Sequence, residues 1–393
     1  MEHSKLPQFR SFCESKFNLT YRASCVKDGR QDVEIPAATV YHAIFLMGTL
    51  GLSSLLACDQ TLRTPIGKRW FKQKEPVVSD TTMARSLETM NIELIRPILY
   101  SAYRLGRKQG LSKCNLRDGK LRIGIVDGSM FGKFEASCFQ VVGPVSLMVD
   151  FERIPKRGKE LPSSYALLRR LKAEFSESFV DIILFVDIIL GDGIYLNAPF
   201  FNLCLHEVRS DVLVKTDDTS LLIIKDAINL FNAKLLSDKI QRASGVDEQR
   251  MCEYQVIMTD GFEMGNIDTK LSVAQVDEVD LTTGEQDQFF VVASNKLIEK
   301  PLTAEEMREL AHWRWDIENN GFKELNQTVH TKHLYSHNKI AQEAVLLMLF
   351  IVFNLLGLYL HELTNFEGIK QTRKFALFLL RCIIIATAFL EYG

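Results

Sequence analysis

Several features are scarce in this chain, and each scarcity narrows what it does. Lys and Arg total 47 against 49 Asp and Glu, a formal charge of -2, so any surface for nucleic acid must be a local basic patch. The eight cysteines contain no Cys-x-x-Cys pair, which removes a zinc ribbon and a disulfide framework; they read as reduced structural thiols. No Gly-rich phosphate loop ending in Gly-Lys-Ser/Thr occurs, disfavouring an ATPase, and no internal repeat or low-complexity tract is evident. The opening residues Met1-Glu2-His3-Ser4-Lys5 are polar where a secretory leader needs an apolar core, so export is not expected.

The chain does hold enough apolar material for a large core: 393 residues, 47% of them hydrophobic, which points to two or three regions. Two apolar runs lie near the end. The first, 344–360, is interrupted only by Asn354 and Gly357 and approaches the roughly 20 residues of a membrane span. The second, 375–390, carries Arg381, at a cost of about 2.5 to 3.5 kcal/mol in a bilayer. Both read as buried core helices, with a membrane-associated protein as the competing class.

Helical periodicity runs through 38–109, bordered by Arg63, Lys68, Arg69, Lys72, Lys74, Arg104, Arg107 and Lys108. Ser79 or Asp80 is the expected N-cap of one of these helices. The region 1–115 is therefore an N-terminal helical region, a DNA-binding one if the basic strip is used and an ordinary bundle if it is only solvated. From Leu121 the character changes. Leu121-Arg122-Ile123-Gly124-Ile125-Val126-Asp127 is a strand ending in an acid, 139–151 suggests one or two neighbouring strands, and 163–177 has helical spacing. The apolar run 180–190 reads as a strand buried on both faces that ends at Gly191-Asp192-Gly193. A helix over 197–208 and a strand over 211–215 follow. Strands alternating with helices imply an α/β core over 120–215, and the strand-rich stretch 216–300 reads as a β-rich insertion. The last part, 301–393, opens with the capping box Thr303-Ala304-Glu305-Glu306, expected to start a helix running towards Gln327.

Three acids stand out: Asp127 and Asp192 at strand ends, and Glu318 on that helix, four residues after Arg314. Carboxylates on separate rigid elements are what two-metal phosphodiester chemistry needs, because hard oxygen ligands hold the ions. Asp187 competes with Asp192, but it lies inside the apolar run, as a satisfied buried acid does. His330, His333 and His337 read as a polar loop or surface sooner than a metal site.

The stretch Arg314-Trp315-Asp316-Ile317-Glu318, followed by Phe322 and Leu325, resembles the signature of insertion-sequence DDE transposases, the insertion-sequence-four-like group. That signature runs tyrosine, two residues, arginine, three residues, glutamate, six residues, lysine. The contexts Ile-Val-Asp-Gly-Ser at Asp127 and Gly-Asp-Gly-Ile-Tyr at Asp192 also resemble that group, and the likeness covers about residues 120–360. Two positions depart from it: Ala311 stands at the tyrosine, and Leu325 at the lysine unless an inserted residue moves that position to Asn326.

The resemblance implies a fold and an activity. The fold is α/β, a ribonuclease-H-like (retroviral-integrase-like) catalytic core with an inserted β-rich subdomain. The activity is cleavage at transposon ends and strand transfer to target DNA, with Asp127, Asp192 and Glu318 both catalytic and holding two Mg²⁺ ions, Mn²⁺ substituting. Arg314 and Lys215 would bind DNA phosphates, the partner would be DNA and the active form a homodimer with no membrane, in the cytoplasm at the nucleoid. Some relatives hold a flipped base with a tryptophan from the β insertion. Here Phe289, Phe290 or Tyr254 would have to serve, with Trp313 and Trp315 expected to pack their helix on the sheet. Two other readings stay open: a decayed transposase or ribonuclease-H-like nuclease, and a DNA-binding module without catalysis.

Overall fold

A computed structural model describes residues 5–71, 78–114, 116–176, 186–233, 240–315 and 317–367. Seven helices come first: α1 (Lys5–Phe17), α2 (Leu19–Ser24), α3 (Ala37–Leu50), α4 (Leu55–Leu62), α5 (Pro65–Trp70), α6 (Asp80–Glu88) and α7 (Ile92–Lys108). Ser79 caps α6, its Oγ accepting the Thr82 N–H at 3.2 Å, and so satisfies a donor that the first helical turn leaves free. Then come β1 (Ile123–Phe131), β2 (Phe134–Val142), β3 (Leu147–Ile154), α8 (Glu160–Ser176), β4 (Ile188–Gly191), α9 (Ala198–Asn202), β5 (Asp211–Thr216) and α10 (Leu222–Asn232). The strands β6 (Gln241–Asp247), β7 (Cys252–Phe262), β8 (Leu271–Asp280) and β9 (Gln286–Ser294) follow, before α11 (Ala304–Trp313), α12 (Lys323–Val329) and α13 (Lys339–Glu367).

The strands form one mixed sheet in the order β3-β2-β1-β4-β5-β9-β8-β7-β6. β1, β2 and β3 make an antiparallel meander, whereas β4 and β5 run parallel to β1. β9 pairs antiparallel with β5, so the strands of 216–300 continue the same sheet instead of forming a block of their own. β6 is an addition to the sequence reading: its side chains are mostly wet, and pairing with β7 holds it.

Two features fasten the helical region to the sheet. Asp150 of β3, fully buried, accepts bonds from Arg96 Nη1 at 2.5 Å and Tyr100 Oη at 2.6 Å on α7, and from Arg170 Nε at 2.9 Å on α8. The apolar helix α13 packs on α7, α3 and β3. Its Asn354, the polar break in the apolar run, accepts the Met148 N–H at 3.0 Å and donates to the Met148 carbonyl at 2.7 Å, satisfying the backbone of an edge strand. Residues 339–364 are long and apolar enough to cross a membrane, and 94% of their most apolar stretch is buried inside the protein. The second apolar run, 375–390, lies outside the described residues.

The helix expected from Thr303 to Gln327 is broken. Its capping box forms as read, Thr303 Oγ1 accepting the Glu306 N–H at 3.2 Å, but α11 stops at Trp313 and 317–322 winds as a π turn before α12.

Candidate active site

Asp127 and Asp192 come together just past the carboxyl end of the parallel β1–β4 ladder, where α/β sheets commonly present their chemistry. β1 pairs with β4 only through Ile123, Gly124 and Ile125, so Asp127 lies just past that ladder. It does not end its strand, as the sequence suggested, because β1 continues as a hairpin with β2 to Phe131. Asp192 follows the last residue of β4, and its Oδ1 accepts the Ile194 N–H at 3.1 Å. Asp127 Oδ1 likewise takes the N–H of Gly128 at 2.8 Å.

Arg314 and Glu318 reach the same place from the end of α11 and the π turn. Arg314 Nη1 lies 3.8 Å from Asp127 Oδ2 and donates a hydrogen bond to Glu318 Oε1. Asp127 is 14% exposed and Glu318 50% exposed. Burial pushes the Asp127 carboxyl up to about 7; Arg314 opposes the shift, while Asp192, Glu160 and Glu318 add to it. Asp192 is also pushed up by burial, against the pull of Arg314. Among the described residues no three His, Cys, Asp or Glu side chains form a ready metal cage. The donor set nevertheless suits a hard divalent cation. Two carboxyls whose charge burial disfavours, Asp127 and Asp192, stand with Glu318 around the Arg314 guanidinium, and a cation would offset the cost of their ionisation.

A fourth acid that sequence reading did not single out, Glu160, also reaches the site. Glu160 opens α8, and its Oε1 accepts the Tyr195 hydroxyl at 2.9 Å. The same carboxylate takes a hydrogen bond from the Gly128 backbone. A Cβ at position 128 would stand 2.7 Å from its Cδ, so any larger residue there would displace the Glu160 carboxylate. Glu160 thus ties the residue after Asp127 to the turn after Asp192. Ser164 extends the tie, bonded to Tyr195 Oη at 2.9 Å and to Ser137 Oγ at 2.7 Å. The signal available was Glu160, Ser163 and Ser164 at helical spacing, a polar face on a helix that must cover the sheet.

Asp187, the competitor of Asp192, sits at the opposite end of β4. It accepts bonds from Arg122 N at 2.7 Å and Arg122 Nη2 at 3.0 Å, as a paired structural acid does. Lys215 is half-buried on β5, its Nζ 3.8 Å from the Phe289 ring centre and 4.4 Å from that of Trp315. Phe289 and Phe290 are buried, and Tyr254 lies under the Arg308 guanidinium at 4.1 Å, so neither phenylalanine presents a face for stacking. Trp315, expected to pack inward, is 44% exposed. The reason is the end of α11 just before it, which turns Trp315 outward beside a cleft of about 850 Å³.

α11 itself is held by a dense ion network. Glu278 accepts from Arg308 Nε at 2.5 Å and from His312 Nε2 at 2.8 Å; Arg308 Nη1 also meets Asp247 Oδ2 at 3.1 Å. Arg250 bridges Asp247 and Glu309, and Glu309 accepts the Trp313 indole N–H at 2.7 Å. Burial raises Glu278 and Asp247, but the surrounding cations outweigh it and hold both below the usual carboxylate range. The strands of 216–300 therefore fix the helix that delivers Arg314.

Over 98% of its length, and 81% of the other chain, the protein aligns with a solved piggyBac transposase synaptic complex with hairpin DNA, at 12% identity and a TM-score of 0.40. No protein-family model and no curated protein matches it. A likeness of that depth leaves the function to be argued from the site.

Proposed function

We propose that this protein is a DDE-type DNA transposase, of the insertion-sequence-four-like group, that cleaves phosphodiesters at transposon ends and transfers the freed 3′ hydroxyl to target DNA. The observation that carries the proposal is the gathering of Asp127, Asp192, Glu318 and Arg314 just past the carboxyl end of the β1–β4 ladder. Strand order β3-β2-β1-β4-β5, a meander joined to two parallel strands, supports a ribonuclease-H-like core over 120–215 that resumes at 301. The strands of 216–300 are then an insertion that extends its sheet, and the helices of 1–115 are its N-terminal region.

Asp127, Asp192 and Glu318 would hold the metal. Two Mg²⁺ ions, or Mn²⁺ in their place, would supply charge neutralisation at the attacking and leaving oxygens. Asp127 and Asp192 are preset by their backbone bonds to Gly128 and Ile194. Glu318, half-exposed and bonded to Arg314, is the member free to turn. Arg314 then offers its guanidinium to a DNA phosphate, to which it can donate two hydrogen bonds at any working pH. Lys215 supplies a second cation beside Trp315, whose exposed ring, in place of Phe289, Phe290 or Tyr254, is the stacking surface for an extruded base. DNA is the partner, and a homodimer at the nucleoid is the proposed working form.

A second reading, a ribonuclease-H-like nuclease or decayed transposase that binds DNA without efficient joining, is favoured by one observation. Ala311 and Leu325, at the signature's tyrosine and lysine positions, are both fully buried and offer DNA nothing.

The test is cleavage of labelled duplexes carrying the DNA that flanks the gene, with Mg²⁺ or Mn²⁺. Wild type is compared with Asp127→Asn, Asp192→Asn and Glu318→Gln. Metal-dependent nicking lost in all three supports the triad; intact nicking in any one removes that residue from it. Nicking without strand transfer selects the second reading.

A further inference from the structure

A second feature lies one helical turn along α8 from Glu160. The β1–β2 turn, the β3–α8 turn and the start of α13 enclose a cleft of about 710 Å³. Four cations stand on its walls: Lys133, Lys156, Arg157 and Lys339. All four are exposed, and none has a carboxylate partner among the described residues. The acids nearby are mostly spent. Glu152 is paired with Arg170 at 2.5 Å and Glu343 with Arg153 at 3.5 Å, which leaves Glu135 facing the four. In a chain whose formal charge is -2, such a concentration is not background.

The cleft is also built to hold its shape. The Arg153 guanidinium lies 4.4 Å from the Phe134 ring centre, Ser163 Oγ donates to the Arg153 carbonyl at 3.2 Å, and the Lys159 N–H closes the turn on the Lys156 carbonyl at 3.1 Å. Gly158 supplies the positive φ of 77° that this turn requires. Ser163, on the cleft wall, belongs to the same first turn of α8 whose Glu160 touches Gly128 beside Asp127.

We propose that this cleft is a docking groove for the phosphate backbone of duplex DNA, seating the arm of the helix that leads into the carboxylate site. The inference rests on the transposase reading, which supplies the polyanion, and adds the surface that reading leaves unassigned. Unpaired cations on a rigid concave wall match a partner whose charge is fixed and regularly spaced, and each neutralised phosphate releases counterions.

Binding of a labelled duplex by the full chain is measured by anisotropy across a salt series. Wild type is compared with Lys133→Gln/Lys156→Gln/Arg157→Gln/Lys339→Gln. A control removes three exposed cations before β1 and after β9, away from the cleft: Lys113→Gln/Lys120→Gln/Lys300→Gln. The slope of log K against log salt is expected to shrink by about 0.9 for each phosphate that the cleft variant no longer neutralises, and to stay unchanged in the control. The Lys156→Gln/Arg157→Gln pair alone should show part of the same reduction. A cleft variant with the wild-type slope overturns the groove and leaves the transposase reading standing. Competition by polyglutamate as strong as by duplex overturns the assignment to DNA. Wild type that binds no duplex at any salt takes down both.

Discussion

The tie between Glu160 and Tyr195 can be measured directly. Glu160→Ala, Tyr195→Phe and the double variant form a thermodynamic cycle, read by urea denaturation. The pair is joined by one charge-assisted bond of 2.9 Å, and the Tyr195 ring is fully buried, so solvent does not compete for its hydroxyl. Such a bond contributes about 1.5 to 3 kcal/mol. Each single variant should fall short of a full orphan penalty. Tyr195 keeps Ser164 as a partner when Glu160 is removed, and Gly128 keeps Asp127 Oδ1. Removing Glu160 also takes away a carboxylate that opposes ionisation of Asp127. The coupling energy, not the single losses, is therefore the number to trust, and about 2 kcal/mol is expected. In the cleavage assay the same variants should raise half-saturating Mg²⁺ on the order of 10-fold, the usual cost of disturbing a group behind a metal ligand. A coupling below about 0.5 kcal/mol would refute the tie. Coupling with an unmoved Mg²⁺ requirement would leave it structural only.

Other consequences follow from single sites. Asp150→Ala leaves Arg96 and Arg170 facing a buried gap and should cost about 3 to 5 kcal/mol in urea denaturation; a loss below about 1 kcal/mol would mean α7 is not anchored through it. His42 is buried, and burial, with Arg10 adding to it, lowers its pKa from the ordinary 6.5 to about 4. Its stability contribution is therefore present above pH 6.5 and lost as pH falls towards 4, by about 3 kcal/mol in all. The wild-type minus His42→Phe difference in stability should fall over that window, and a flat difference would sink the idea. Trp315→Ala should leave the melting temperature nearly unmoved, its ring being 44% exposed, and weaken binding of a duplex with a frayed end by about 1 to 3 kcal/mol per stacked base. Equal affinity would remove Trp315 from the DNA surface.

Much of the local structure was readable because the signals were local. Ser79 and Thr303 mark their helices by cap chemistry alone, and the apolar run before Asp127 announces a buried strand; of the strand expected over 180–190, residues 180–185 lie outside the described residues and 188–191 forms β4. What escaped depends on distant partners. β6 has no alternation to read, since its exposed Gln241, Arg242 and Ser244 owe their conformation to β7. Glu160 looks like one more charge in Lys156-Arg157-Gly158-Lys159-Glu160 until the fold brings Gly128 and Tyr195 to it. The four cations of the cleft, of which only Lys156 and Arg157 are neighbours in sequence, come from three separate places along the chain and read there as solvated charges.

The break in the signature helix shows how such a distant demand acts. Ile317 and Phe322 are both buried, and they are five residues apart. In an α-helix that spacing puts them about 140° apart around the axis, so one of the two would face water. A π turn closes its bonds from i to i+5 and brings both to the core side, Phe322 meeting the Phe131 ring edge at 5.9 Å. Gly321 permits the approach, because a Cβ there would stand 2.2 Å from Gln140 Oε1 on β2. The anchored ends leave Glu318 on the outer side of the turn, half-exposed and bonded to Arg314 above Asp127. The four-residue spacing of Arg314 and Glu318 therefore serves the site through a turn that α-helical periodicity alone does not describe.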